Sequence, residues 1–248
     1  MVLPSAVGLA VPPWSSPPWS GTLPWPAADE PANPWFSWDY VTSNRADIET
    51  ALSQHVWLTL EALLLSFALA VPLAVLAHAR PRLAGPVLGT SAVLYTIPSL
   101  ALFGVLAPIT GIGRTTVLIG LVAYSLLLLV RNVLVGLRGV DPDVRDAARG
   151  MGYGRLRLLL AVEVPSALPS IVAGMRLAAV STVGLVTVGV VVGYGGLGQL
   201  MFRGFRSHYR AEVMTATLLC LVLAFVLDVA IMLAGRWLTP WTRAREAG

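Results

Sequence analysis

Five apolar stretches, each about long enough to cross a hydrocarbon core as a helix, occupy most of the chain between His55 and Leu238. They run His55–His78, Leu83–Leu106, Thr115–Leu137, about Leu168–Gly193 and about Val213–Leu238. A bilayer offers backbone N–H and C=O groups no partner, so each stretch is predicted to be helical and the fold class to be all-α and polytopic. The composition excludes the water-soluble alternative: with 56% of 248 residues hydrophobic and 12% charged, a soluble fold would have to hide too much apolar surface. Pro72 is predicted to bend the first span. Ile97-Pro98-Ser99 is predicted to break the second near its middle, which a membrane tolerates only where protein or a water-filled path satisfies the freed carbonyls. Gly174, Gly184, Gly189 and Gly193 suit the fourth to close helix packing.

The charges set the orientation and remove several functions. All seventeen basic residues are arginine, and a phosphate-binding Walker loop requires lysine, so this chain is not expected to hydrolyse ATP itself. The pI near 9.7 comes mostly from loop arginines, for which a membrane face is a better explanation than nucleic acid. Ahead of the first span stand Asp29, Glu30, Asp39, Asp47 and Glu49 against Arg45. Beyond it come Arg80 and Arg82, then Arg138, Arg145, Arg149, Arg155 and Arg157, and finally Arg236, Arg243 and Arg245. This asymmetry predicts a multi-pass protein of the plasma or inner membrane with its N-terminus outside and its C-terminus in the cytoplasm. Arg203, Arg206 and Arg210 oppose it, which leaves room for a re-entrant or sixth segment around Val190–Phe202.

Residues 1–34, rich in Pro, Trp, Ser and Ala, are predicted to be loosely held, and the start lacks the basic and apolar regions of a secretory signal. Trp35, Phe36, Trp38 and Tyr40 suggest an interfacial segment. The chain therefore divides into an outer extension (1–54), a transmembrane domain (55–240) and a cytoplasmic tail (241–248). Cys220 has no possible disulfide partner and reads as a small apolar residue.

One interval, 141–165, is polar. Asp141-Pro142 is a strong helix start, because the carboxylate caps free N–H groups and proline gives up a donor that has no partner there. A short helix is predicted to about Arg149, a break at Gly150, Gly152 and Gly154, and a second short helix from Arg155 that Pro165 ends. Ala147 and Ala148 are predicted to expose small side chains that permit close approach of another backbone. An alternative is an ordinary basic cytoplasmic loop, but that would not need an acid, two alanines, a glycine and a proline in this order.

The order Asp146-Ala147-Ala148, Gly152, then Val162-x-Val164-Pro165 resembles the EAA loop of ABC importer permeases, with Asp in place of the usual Glu. TIPSLALFG at 96–104, LVRN at 129–132, GLRGVDP at 136–142 and GYGGLG at 193–198 narrow the resemblance to permeases of osmoprotectant importers, over roughly residues 50–245. Methionine-type permeases share the small five-span plan and are the nearest alternative. The resemblance implies a type I importer fold in which the loop docks on a separate ATPase subunit. It also implies a second permease subunit, identical or paralogous, and an extracytoplasmic solute-binding protein. ATP and magnesium would then bind on the ATPase, with no cofactor or metal in this chain. On this reading Asp146, Ala147, Ala148, Gly152 and Pro165 carry the coupling. Tyr95, Thr96, Pro98, Ser99, Phe103, Tyr124 and Asp228 are the pathway candidates; for the aromatics, core packing is the commoner role, and for Asp228 a buried polar contact is. A stand-alone secondary transporter would call for an internal repeat or several intramembrane carboxylates, and neither is evident.

Overall fold

In the computed structural model residues 33–242 are described, so the expectations for residues 1–32 and for the tail from 243 lie outside them. The described residues form α1 (Trp38–Ser43), α2 (Arg45–Ala79), α3 (Pro81–Thr96), α4 (Ser99–Thr110), α5 (Arg114–Arg138), α6 (Pro142–Gly150), α7 (Arg155–Leu158), α8 (Val164–Val188), α9 (Leu197–Arg206) and α10 (Arg210–Leu238). Helices α2, α5, α10 and the continuous rod 155–192 are each long and apolar enough to span a membrane, and α3 with α4 forms a pair bent by 97°.

The first span begins ten residues earlier than expected. Asp47 and Glu49 argue against membrane but not against helix, and an Arg45–Glu49 pair at 2.6 Å supports the added turns. With 35 residues, α2 is about 52 Å long at 1.5 Å per residue and overshoots a hydrocarbon core of roughly 30 Å. Its Asp47 end packs with α1, α9 and the start of α10 around Tyr40, Ile48, Ala51, Leu197, Leu200 and Ala211. Lower down, Ala62, Ser66, Ala70 and Ala74, four residues apart and fully buried, let neighbouring helices approach α2 closely. The central core joins α2, α5 and α8 through Leu63, Leu129, Val133, Leu137, Ala167 and Ala178.

Contacts along these helices fix the path of the chain. His55 of α2 meets Val183 and Leu197, whereas His78 meets Glu163, so α2 and α8 run in opposite directions. Arg114 at the start of α5 pairs with Glu61, and Glu212 at the start of α10 pairs with Arg203 near Asp47. The α3–α4 pair therefore leads from the His78 end of α2 to the level of Glu61, midway along that 35-residue helix, as one broken crossing, and α1 lies at the opposite end of the bundle from the end of α10.

One alternative left open by the sequence closes, and one expectation is corrected. Val190–Phe202 is not a sixth span: Gly189–Val192 is a short 3₁₀ turn, and the ten-residue α9 stays at the Asp47 end. Its unexpected arginine is neutralised locally, since Arg203 pairs with Glu212 and, at 3.1 Å, with Asp47. The hydrogen bond to Glu212 holds the Arg203 guanidinium above its ordinary range, while burial and then Glu212 push the Tyr40 phenol up to about 12. Arg206 and Arg210 lie over the rings of Phe202 and Trp35. Nor does Pro165 end the second loop helix. A π-helical turn, Leu159–Glu163, inserts one extra residue just before the proline, with Val164 N–H bonded to the Leu159 carbonyl. The wider turn relieves the ring clash, so α7 runs on into α8.

Candidate functional site

The polar interval folds as two short helices at the His78 end. Asp141 caps α6 by accepting from Asp143 N–H at 2.9 Å, and Pro142 occupies its first turn. At the other end, Gly152 N–H donates to the Arg149 carbonyl and Tyr153 N–H to the Ala148 carbonyl, which is a Schellman closure. Gly152 has φ +81°, a conformation that a side chain makes costly, although the space around it is open. Its role is thus to turn the chain. Asp146 and Ala147 face outward, and Asp146 pairs only with Arg149, one turn on, at 2.9 Å. Ala148 does not: at 2% exposure it faces inward, because the closing turn folds the chain back over that side of α6, and the expectation of two exposed alanines is corrected to one.

The second region is the 97° break between α3 and α4. An open cavity of about 520 Å³ lies there, lined by Tyr95, Thr96, Pro98, Ser99, Tyr124 and, from α8, Ser181 and Gly184. Tyr124 donates its hydroxyl to the Ile97 carbonyl freed at the break, and its ring meets Tyr95 edge-on at 5.9 Å. The Thr96 hydroxyl turns back to Val93 O at 2.8 Å. Five of the seven pathway candidates therefore converge. Phe103 does not: it is fully buried with Leu58, Val117, Leu121 and Val186, against the Cβ-free face of Gly120, so it is a packing residue.

Asp228 also lies apart from the cavity. It accepts from Arg176 Nε and Nη2 at 2.8 and 2.7 Å, a two-pronged bridge between α10 and α8. Fifty-two residues separate the partners, so the sequence had no spacing by which to pair them. Asp228→Asn alone is expected to reduce the folded protein recovered from membranes, because it strands a guanidinium among the spans; Arg176→Gln with Asp228→Asn should recover most of it. A double variant that accumulates less than the single one would contradict this.

Two further features went unread in the sequence. His55, fully buried, accepts Leu197 N–H on Nδ1 at 3.3 Å and has Nε2 3.1 Å from the Val183 carbonyl, clasping α2, α8 and α9. Glu163 is buried at 6% exposure beside Arg145 and His78. Nothing in the local pattern marks either.

Four long apolar spans, a broken fifth beside a cavity, and a two-helix loop carried at one end define a polytopic membrane protein built as a transport permease. The chain belongs to the family of binding-protein-dependent transport system inner membrane components, which it matches over residues 64–244. It is 36% identical to the carnitine transport permease protein OpuCB of Listeria monocytogenes over 79% of this chain and 90% of that one. It is 40% identical to the osmoprotectant import permease protein OsmW of Salmonella typhimurium over 76% and 90%. The choline transport system permease protein OpuBB of Bacillus subtilis is 30% identical over 81% and 93%. Among solved structures, a chain of the MetNI methionine ABC transporter in an inward-facing conformation superposes with a TM-score of 0.70 at 24% identity, over 76% of this chain and 94% of that one, and so shares the fold.

Proposed function

We propose that this chain is the permease subunit of an ATP-driven importer for a compatible solute such as glycine betaine, carnitine, choline or proline. The observation that carries the reading is the two-helix loop. It presents Asp146 and Ala147 outward, is closed by Gly152, and continues without interruption into a span that borders the cavity. Such a surface suits docking of a separate ATPase subunit. A second permease subunit would complete the path, and an extracytoplasmic binding protein would deliver the solute. The loop faces the cytoplasm and the Trp35–Ser43 end faces outward, in keeping with the arginine asymmetry. At the cavity, hydroxyls and aromatic edges would pass a small zwitterion or quaternary ammonium group without the unpaired charge that would trap it.

The solute class rests on relatives named for carnitine, choline and osmoprotectants. A methionine-type importer is the second reading, because permeases of that type share the small five-span plan. A strain lacking this gene and its redundant systems is expected to lose ATP-dependent, salt-stimulated uptake of labelled betaine-like solutes and to retain methionine uptake. The reverse pattern would assign the protein to the methionine class.

A further inference from the structure

The loop and the spans meet at a buried carboxylate. Glu163 sits in the π-helical turn, its side chain 8% exposed. One oxygen forms an ion pair with Arg145 of α6, 2.9 Å from Nε but not aligned as a hydrogen bond, and the other lies within hydrogen-bond distance of His78 Nε2, at 3.2 Å, in the last turn of α2. Arg145 also donates from Nη2 to the Leu137 carbonyl, 2.5 Å away, near the end of α5. Four elements are thereby tied at one point: the first loop helix, the ends of two spans, and the beginning of a third. On the α2 side an open groove of about 850 Å³ is lined by Val75 and Ala79 and, from the loop, by Tyr153 and Leu156, while Leu159 joins the apolar cluster of Ala74 and Ala77. The other charge contact within the loop, Asp146–Arg149, is exposed and local. Burying a carboxylate is expensive unless its partners are held in place, so α6 cannot shift relative to α2, α5 and α8 without straining this cluster.

We infer that Glu163 is a positioning residue for transport: through Arg145 and His78 it passes displacement of the loop to the three spans together. The inference rests on the proposed ATPase docking. Its action is mechanical, and the ATP-bound site stays on the partner subunit.

The test uses the whole complex, permease with ATPase and binding protein, reconstituted in liposomes. Two quantities are read: ATPase retained on the permease, and solute imported per ATP hydrolysed. Glu163→Gln keeps the shape and removes the charge. It is expected to retain the ATPase and to lower solute per ATP by about tenfold, the scale of a broken coupling between sites. Exchanging the charges, Arg145→Glu with Glu163→Arg, should regain part of the ratio. His78→Ala severs only the α2 arm and should lower the ratio less, and it serves alone should the Glu163 variants fail to accumulate. A wild-type ratio in Glu163→Gln, or in His78→Ala where that variant stands alone, would overturn the inference and leave the proposed function intact. If the unaltered permease fails to retain the ATPase, both fall.

Discussion

A permease carrying Asp146→Lys is expected to reach the membrane in ordinary amounts, to melt at the wild-type temperature, and yet to lose both its ATPase and its uptake. The structural half of the expectation follows from exposure: the Asp146–Arg149 pair is open to solvent on both sides, and such pairs contribute little to stability. Any loss therefore reports the docking surface and not the fold. Gly152→Val reaches the same end differently. At φ +81° a β-branched residue costs about 1–2 kcal/mol, enough to change the population of the closed turn roughly 5–30-fold and re-aim α6 relative to α7. Co-purification of the ATPase from detergent extracts is the measurement. Normal retention with Asp146→Lys would remove the loop from the coupling role.

The second large effect is predicted in the glycine-rich segment before α9. A Cβ at Gly198 would stand 2.3 Å from the Thr187 carbonyl oxygen and 2.6 Å from its Cα. These are backbone atoms near the end of α8 and cannot swing aside, so Gly198→Ala is expected to destabilise the protein by about 3 kcal/mol or more, at the upper end for an overpacked site. Gly89→Ala is the control, because nothing lies within 4 Å of that position and helical alanine is favoured over glycine by about 0.5–1 kcal/mol. Thermal melting in detergent distinguishes them. Equal melting temperatures for Gly198→Ala and the unaltered protein would mean that the segment does not pack on α8 as described.

The spans were legible because a bilayer imposes a length and an apolarity that the sequence states directly, and the break at Ile97-Pro98 was legible because proline lacks a donor. Three kinds of feature were not. The start of α2 was hidden by Asp47 and Glu49, which mark the end of the apolar stretch but not the end of the helix. The passage through Pro165 was hidden because a π turn is a register shift in hydrogen bonding, and no residue type announces it. The inward face of Ala148, the Phe103–Gly120 contact and the pairing of Arg176 with Asp228 depend on which helices become neighbours. At the candidate sites, the sequence indicated Asp146, Gly152 and the cavity rim around Tyr95 and Tyr124, whereas Glu163 and His55 became visible only once their partners, 18 to 142 residues away, were in place.

The unbroken rod from Arg155 to Val192 holds 38 residues, about 57 Å of helix at 1.5 Å per residue, against a hydrocarbon core of roughly 30 Å. On the proposed reading, a rod that much longer than the slab it crosses would act as an oar in a rowlock, its handle the Arg155 end outside the membrane and its blade beside the cavity that Ser181 and Gly184 border. A small swing of the handle in the grip of an ATPase would become an opposite swing at the blade. Had the helix ended at Pro165, as the residue type alone suggests, the handle would have been severed from the blade.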